Sequence, residues 1–265
     1  AAHYKGENLL TASGKSMPFD GTDDALDIGD NYDPGTSDFS ITGWFKTSAS
    51  GSVQTIIGKR NSSGNTGWSV VVENTGDKLQ GFINVTGSVV ALSTDAVNDG
   101  FWHHAAVTFD RDGNMTVYTD AGDAQTASIS AQSASLDTDQ PAYIGAQETS
   151  SLTSFFNGSL QNLKYYSRVL TAAEVQYDRE SALGMSGGTD PTTTNLTGHW
   201  ITSQLSNAIS RIAADSSSSG NDATIVSKDI GTALSTSVVS GASGSCLVNT
   251  LDEYVRLDEH IDDYK

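Results

Sequence analysis

Apolar and polar residues alternate along most of the chain with the period of a strand. In "DFSITGWFKT" one face carries Phe39, Ile41, Gly43 and Phe45, and the other carries Ser40, Thr42, Trp44 and Lys46. "GWSVVVENTGDKLQGFINV" predicts two strands joined by the polar turn Asn74-Thr75-Gly76-Asp77. From Phe19 to Tyr166 such segments recur every 8 to 12 residues or so, with no long helical period between them. That spacing predicts an all-β fold, an antiparallel sandwich of two sheets. The clear helix signal is "LTAAEVQYDRESAL", where Thr171 caps the N-terminus and Glu174, three residues on, completes a capping box.

After Leu183 the stretch "GMSGGTDPTTTN" has the composition of a linker, and we assign residues 184–196 to it. Residues 1–183 then form the principal domain. Beyond the linker, "SCLVNTLDEYVRLDE" (Ser245–Glu259) aligns without a gap to "SMPFDGTDDALDIGD" (Ser16–Asp30). Asp252-Glu253 falls opposite Asp23-Asp24, and Val255 and Leu257 opposite Leu26 and Ile28. Residues 197–265 therefore read as the start of a second copy, or as a segment that completes a sandwich, its own or a neighbour's.

Charge narrows the partners. Fourteen Lys and Arg against 32 Asp and Glu give a formal net charge of −18, which disfavours nucleic acid phosphates and anionic lipid. The single cysteine, Cys246, excludes an internal disulfide framework, and its apolar neighbours suit a buried thiol. No apolar run of about 18 residues is present to span a bilayer. The first residues, Ala1-Ala2-His3-Tyr4, do not form a basic and apolar signal segment, so a leader was removed or export takes another route.

The stretch "GFWHHAAVTFDRDGNMTVYTDAG" gathers two histidines and several aspartates. Alternation puts His104 with Trp102, Ala106 and Thr108, and His103 with Ala105, Val107 and Phe109, so the two imidazoles face opposite sides of a sheet. They do not share a metal ion. As a calcium loop the run starting at Asp110 fails as well, because its twelfth residue is Ala121 where an EF-hand needs Glu. The stretch predicts a hairpin. Nucleophile-elbow, P-loop and Cys/His zinc spacings are also missing.

"FDGTDDALDIG", "DFSITGWFKT", "FWHHAAVTFDRDGNMTVYTDAG", "YIGAQ" and "FFNGSLQNLKYYSRVLTAAEV" follow one another in an order that resembles the laminin-G-like, or concanavalin A-like lectin/glucanase, jelly rolls. The resemblance covers roughly residues 14 to 180 and rests on the combination of these segments. "LTGHWITSQLSNAISRIAADSSSSGNDATIV" is similar to the stretch that precedes the first strand in the same family. Glycosidases of this family carry Glu-x-Asp-x-x-Glu along one strand, and no such run occurs here. In the acidic run Leu251 to Tyr264, Asp252 and Glu253 point opposite ways. The expected protein is not an enzyme.

The resemblance implies a calcium ion at the rim of the sandwich. Its expected ligands are Asp20, Asp23 and Asp24, with Glu148 as a further oxygen donor. Where relatives often carry acids after "FxGxI", this chain has Gln161-Asn162, which counts against the ion. For a carbohydrate, exposed aromatics and amides on loops are the expected contacts. The selected set is Trp68, Asn61, Asn65, Gln147 and Glu148, on the loops of residues 60–67 and 147–154. The Tyr165-Tyr166 pair at a strand end is a further aromatic candidate, while Trp44 and Trp102 are better placed for packing. The leading reading is a recognition or adhesion module for a glycan or surface protein, on the outside of a cell or virion. The alternative is a structural component or decoration protein of a virion or filament, assembled with copies of itself or with other subunits by strand or domain exchange.

Overall fold

The computed structural model describes residues 16–183, 187–205, 212–215, 217–221 and 223–225. Cys246, the proposed repeat at 245–259 and the acidic run at 251–264 lie outside the described residues. The strands are β1 (Met17–Asp20), β2 (Leu26–Asp27), β3 (Phe39–Lys46), β4 (Gln54–Arg60), β5 (Gly67–Val72), β6 (Lys78–Asn84) and β7 (Ser88–Ala96). They continue with β8 (Trp102–Phe109), β9 (Asn114–Thr119), β10 (Asp123–Ser128), β11 (Tyr143–Ile144), β12 (Gln147–Glu148), β13 (Leu152–Thr153) and β14 (Asn157–Tyr166). The helix α1 (Ala172–Ala182) follows, then β15 (Leu196–Leu205), β16 (Ile212–Asp215) and β17 (Ala223–Ile225).

Two antiparallel layers pack face to face as a jelly-roll sandwich. One has the order β10-β9-β8-β3-β14, and the other β17-β2-β11-β4-β5-β6-β7. Strands β15 and β16 continue the hydrogen-bonded path from β14 across to β17. The outer edge of β14 is shared: β1 pairs with Asn157–Leu160, and β15 with Leu163–Tyr166. The ribbon β12–β13 stands apart.

The predicted inward residues Phe39, Ile41 and Phe45 lie in the common core, where Phe39 stacks on Phe109 at 4.1 Å and on Tyr165 at 5.6 Å. Aromatic pairs of this kind add about 0.5–1.5 kcal/mol each beyond area burial. Position 43 is glycine because Leu163 occupies the space of a side chain there, and a Cβ would lie 2.3 Å from Leu163 Cδ2. The opposite face of β3 is not open to water. Trp44 is buried against His104 at 5.2 Å, as the packing expectation for Trp44 requires.

Helix α1 covers that outer face. Its capping box is formed as expected, with Thr171 accepting from the Glu174 backbone and the Glu174 side chain accepting from the Thr171 N–H. The turn at Asn74–Asp77 is also present, and Glu73 organises it by accepting from the backbone N–H of Thr75, Gly76 and Lys78. Residues 187–195 pack back on the helix and β14, through Thr189 N to Ala173 O and Ser167 N to Asn195 O. Among the described residues, no helix is long and apolar enough to cross a membrane.

Candidate functional site

The segment after β1 turns sharply at Gly21, whose φ of 80° is accessible to glycine without strain. Asp20 Oδ1 accepts from Thr22 N at 2.7 Å, and Asp20 N donates to Asp24 Oδ2 at 2.9 Å. The turn thus brings three acids together, and Asp20, Asp23 and Asp24 offer carboxylate oxygens that all lie within 4.8 Å of one another. Asp24 is buried, Asp23 half-buried and Asp20 exposed. Asp23 Oδ1 is buried with no hydrogen-bond partner. Like charges this close repel one another. Three hard oxygen donors with one orphaned atom form a set that fits a divalent cation such as calcium.

Glu148 does not join them. Its carboxylate is bonded to the Tyr143 hydroxyl, whose pKa is pushed up by burial first and then by Asp27 and Glu148. Gln161 and Asn162 are also elsewhere, at a bulge of β14 where Asn162 Oδ1 accepts from His199 Nε2 at 2.6 Å. Asp20 pairs with Asn157, and four residues of strand, about 13 Å, separate Asn157 from Gln161. The two amides therefore have no bearing on the acid turn.

The loops expected to hold a glycan do meet: a Cβ on Gly64 would lie 3.5 Å from Thr149 Cγ2. Asn65 is exposed. Asn61, however, is occupied in shaping its own loop, with Oδ1 accepting from Asn65 N at 2.8 Å, Thr66 N at 3.1 Å and Ser63 Oγ at 3.1 Å. Gln147 is buried at the start of the ribbon.

Trp68 is a correction to the sequence expectation. It has 0% exposure, packs on Phe39 and Tyr165, and donates from Nε1 to Tyr32 O at 3.3 Å, so it offers no face to a sugar. Tyr165 and Tyr166 are buried too. The loops at residues 61–66 and the acid turn occupy opposite ends of β4: Gln54, at its start, accepts from Asn157 N, and Arg60 ends it. About 20 Å of strand lies between them, so they are not one site.

The two histidines face opposite sides, as alternation predicts. His103 lies between Asp120 Oδ2, 3.0 Å from Nδ1, and Asp99 Oδ1, 3.0 Å from Nε2. His104 points under α1 and bonds from Nε2 to Asp178 Oδ2 at 3.1 Å. The bond of His104 was not foreseeable from local sequence, because Asp178 is 74 residues away.

The profile of the concanavalin A-like lectin/glucanases superfamily matches residues 20–176, more than half of the chain. The chain belongs to this superfamily. Its concanavalin A-like sandwich is similar to a candidate carbohydrate-binding protein from Bacteroides ovatus, with a TM-score of 0.62 and 14% identity over 79% of this chain and 57% of that one. It is also similar to domains LG4-5 of the mouse laminin alpha1 chain, with a TM-score of 0.47 and 23% identity over 59% of this chain and 44% of that one. A third similar structure is the CBM40 of the Ruminococcus gnavus IT-sialidase, with a TM-score of 0.49 and 14% identity over 61% and 95% of the two chains. At such identities the likeness is one of fold. The matched region spans 57% of the Bacteroides protein's length. No curated protein sequence matches the chain.

Proposed function

We propose that this chain is a non-catalytic recognition module, binding a glycan or a protein on a cell or particle surface, with calcium held by Asp20, Asp23 and Asp24. The observation that carries this reading is the orphaned Asp23 Oδ1 inside a turn of three carboxylates at the sandwich rim. A cation there relieves the repulsion and leaves coordination positions open to an oxygen-bearing ligand. Glycoside hydrolysis instead needs two carboxyls on either side of a sugar bond. Here the acids belong to one turn of five residues, and the Asp20 backbone N–H donates to the Asp24 carboxylate, which supports binding over catalysis. The fold shared with the candidate carbohydrate-binding protein of Bacteroides ovatus supports the same conclusion.

Calorimetric titration of the metal-stripped chain with calcium chloride is expected to give heat and a raised melting temperature. At a hundredfold excess over Kd the stabilisation amounts to about 2.7 kcal/mol. Asp23→Asn is expected to weaken binding at least tenfold. No heat and no melting shift would remove calcium from the proposal. Recognition itself is tested on a glycan array with and without calcium. A blank array, together with unchanged surface attachment after deletion of residues 60–67 or 147–154, would overturn it.

A further inference from the structure

At the end of the sandwich opposite the acid turn, a cavity of about 330 Å³ opens between residues 31–38, the end of β14 and the start of β15. That volume is at the small end of the 300–1,000 Å³ or so typical of small-molecule sites. We infer that it is a binding subsite for one ring of a neutral sugar. The inference rests on the recognition reading above and gives it a ligand class and a place.

The wall of the cavity is held from beneath by two buried cations. Lys59 Nζ, with no exposed side-chain surface, contacts Asp30 Oδ1 at 2.7 Å, Asn31 O at 3.0 Å and Asp33 Oδ2 at 2.5 Å. Arg111, 2% exposed, donates from Nη1 to Gly35 O at 2.9 Å, and its backbone N donates to Asp38 Oδ1 at 2.8 Å. Asp137 Oδ1 accepts from Gly35 N at 2.7 Å. A segment tied at Asn31, Asp33, Gly35 and Asp38 is preorganised, which lowers the entropy lost on binding.

Within that segment Tyr32 has a φ of 62°, an uncommon conformation for a bulky side chain that costs on the order of 1–3 kcal/mol. Its ring is clamped between Tyr165 at 5.0 Å and Trp200 at 5.1 Å. Packing therefore enforces the strained backbone, and such strain concentrates at ligand clamps.

The lining chemistry selects the ligand. Tyr165 is 3% exposed and lines the cavity. Burial first, and then the charge of Asp33, hold its pKa well above the ordinary value, so it remains a neutral O–H donor. Ser37, Ser167 and Thr197 add hydroxyls, and Asn31 an amide. Among the described residues no lysine or arginine lines the cavity, while Asp33 and Asp38 do, which disfavours phosphate, sulfate or a sialic acid. A cation is also a poor fit, because both oxygens of Asp33 are occupied, by Lys59 and by Thr138 N. Ser167, Thr197 and Asn31 donate to the backbone carbonyls of Asn195, Tyr165 and Ile28, which leaves their oxygens as acceptors. Hydroxyl oxygens beside the Tyr165 O–H around a small cavity suit an uncharged polyol ring.

The test is saturation-transfer NMR on the full chain with a mixture of methyl glycosides of glucose, galactose, mannose and N-acetylglucosamine, with backbone shifts mapped in parallel. Binding is expected, with shifts at residues 31–38 and Tyr165. Tyr165→Phe, which keeps the ring and removes the hydroxyl, is expected to weaken it about tenfold. Ser37→Ala, at an exposed position, provides a second variant if Tyr165→Phe does not fold. Binding that is unchanged in the folded variants, or shifts confined to residues 20–24 or 61–66, overturns the cavity but leaves a recognition module. If no neutral glycoside binds, the cavity proposal falls, and the glycan array with anionic glycans and proteins decides the wider reading separately.

Discussion

His103 and His104 show how much one residue step decides in a strand. Both ring nitrogens of His103 meet carboxylates, which requires a proton on each and therefore an imidazolium. Burial disfavours that charge, but the bonds and charges of Asp120 and Asp99 outweigh it and raise the His103 pKa above its ordinary 6.5. A raised folded pKa contributes stability that is fully present below pH 6.5 and is lost as pH rises through the folded value. Asp120, lowered by the same pair despite its burial, contributes the opposite limb: stability present above its ordinary 3.8 and lost as pH falls through its folded value. The free energy of urea unfolding is expected to decline from pH 6.5 upward in the parent chain and to stay level there in His103→Gln. An equal decline in both would refute the assignment. At this scale the facing of the histidines was legible, because it follows from period two alone. The burial of Trp68 was not: all six residues of Gly67–Val72 are buried, so that strand carries no face contrast to read.

At the scale of elements, α1 is fastened by chemistry that its own sequence does not advertise. The capping box and the Arg168–Glu174 ion pair at 2.7 Å fix its start, and a lost cap costs about 1 kcal/mol. Its docking depends on Asp178, 2% exposed, which accepts from His104 and from Lys164 of β14. Burial works against the charged carboxylate, and Lys164 and His104 overcome it, holding its pKa far below the ordinary range. Asp178→Ala leaves those two donors unpaired and is expected to lower stability by about 3–5 kcal/mol in chemical denaturation. A loss below about 1 kcal/mol would mean that the helix docks by apolar contact alone. The helix and its cap were readable because they are local, and so was the acid turn, whose members span five residues. The cavity was not readable, since Tyr32 in a loop and Tyr165 and Thr197 in paired strands come together only in the folded sandwich.

For the whole molecule, the net charge of −18 makes self-association costly at low salt, and the described segments from Leu196 to Ile225 find their partners within the same chain. We propose on this ground that they complete the sandwich of residues 16–183. Size exclusion with light scattering is therefore expected to give a monomer of 27.8 kDa. A dimer that dissociates when residues 190–265 are removed would instead indicate exchange between copies.

The shared edge of β14 has a further meaning for how the chain is closed. Leu196–Trp200 and Met17–Asp20 run in the same direction along it, one after the other, so two stretches from far apart in the chain make up a single composite lane. Neither half shields the whole edge. Peeling away either one bares a short row of backbone donors and acceptors beside intact neighbours, a ready seat for a foreign strand.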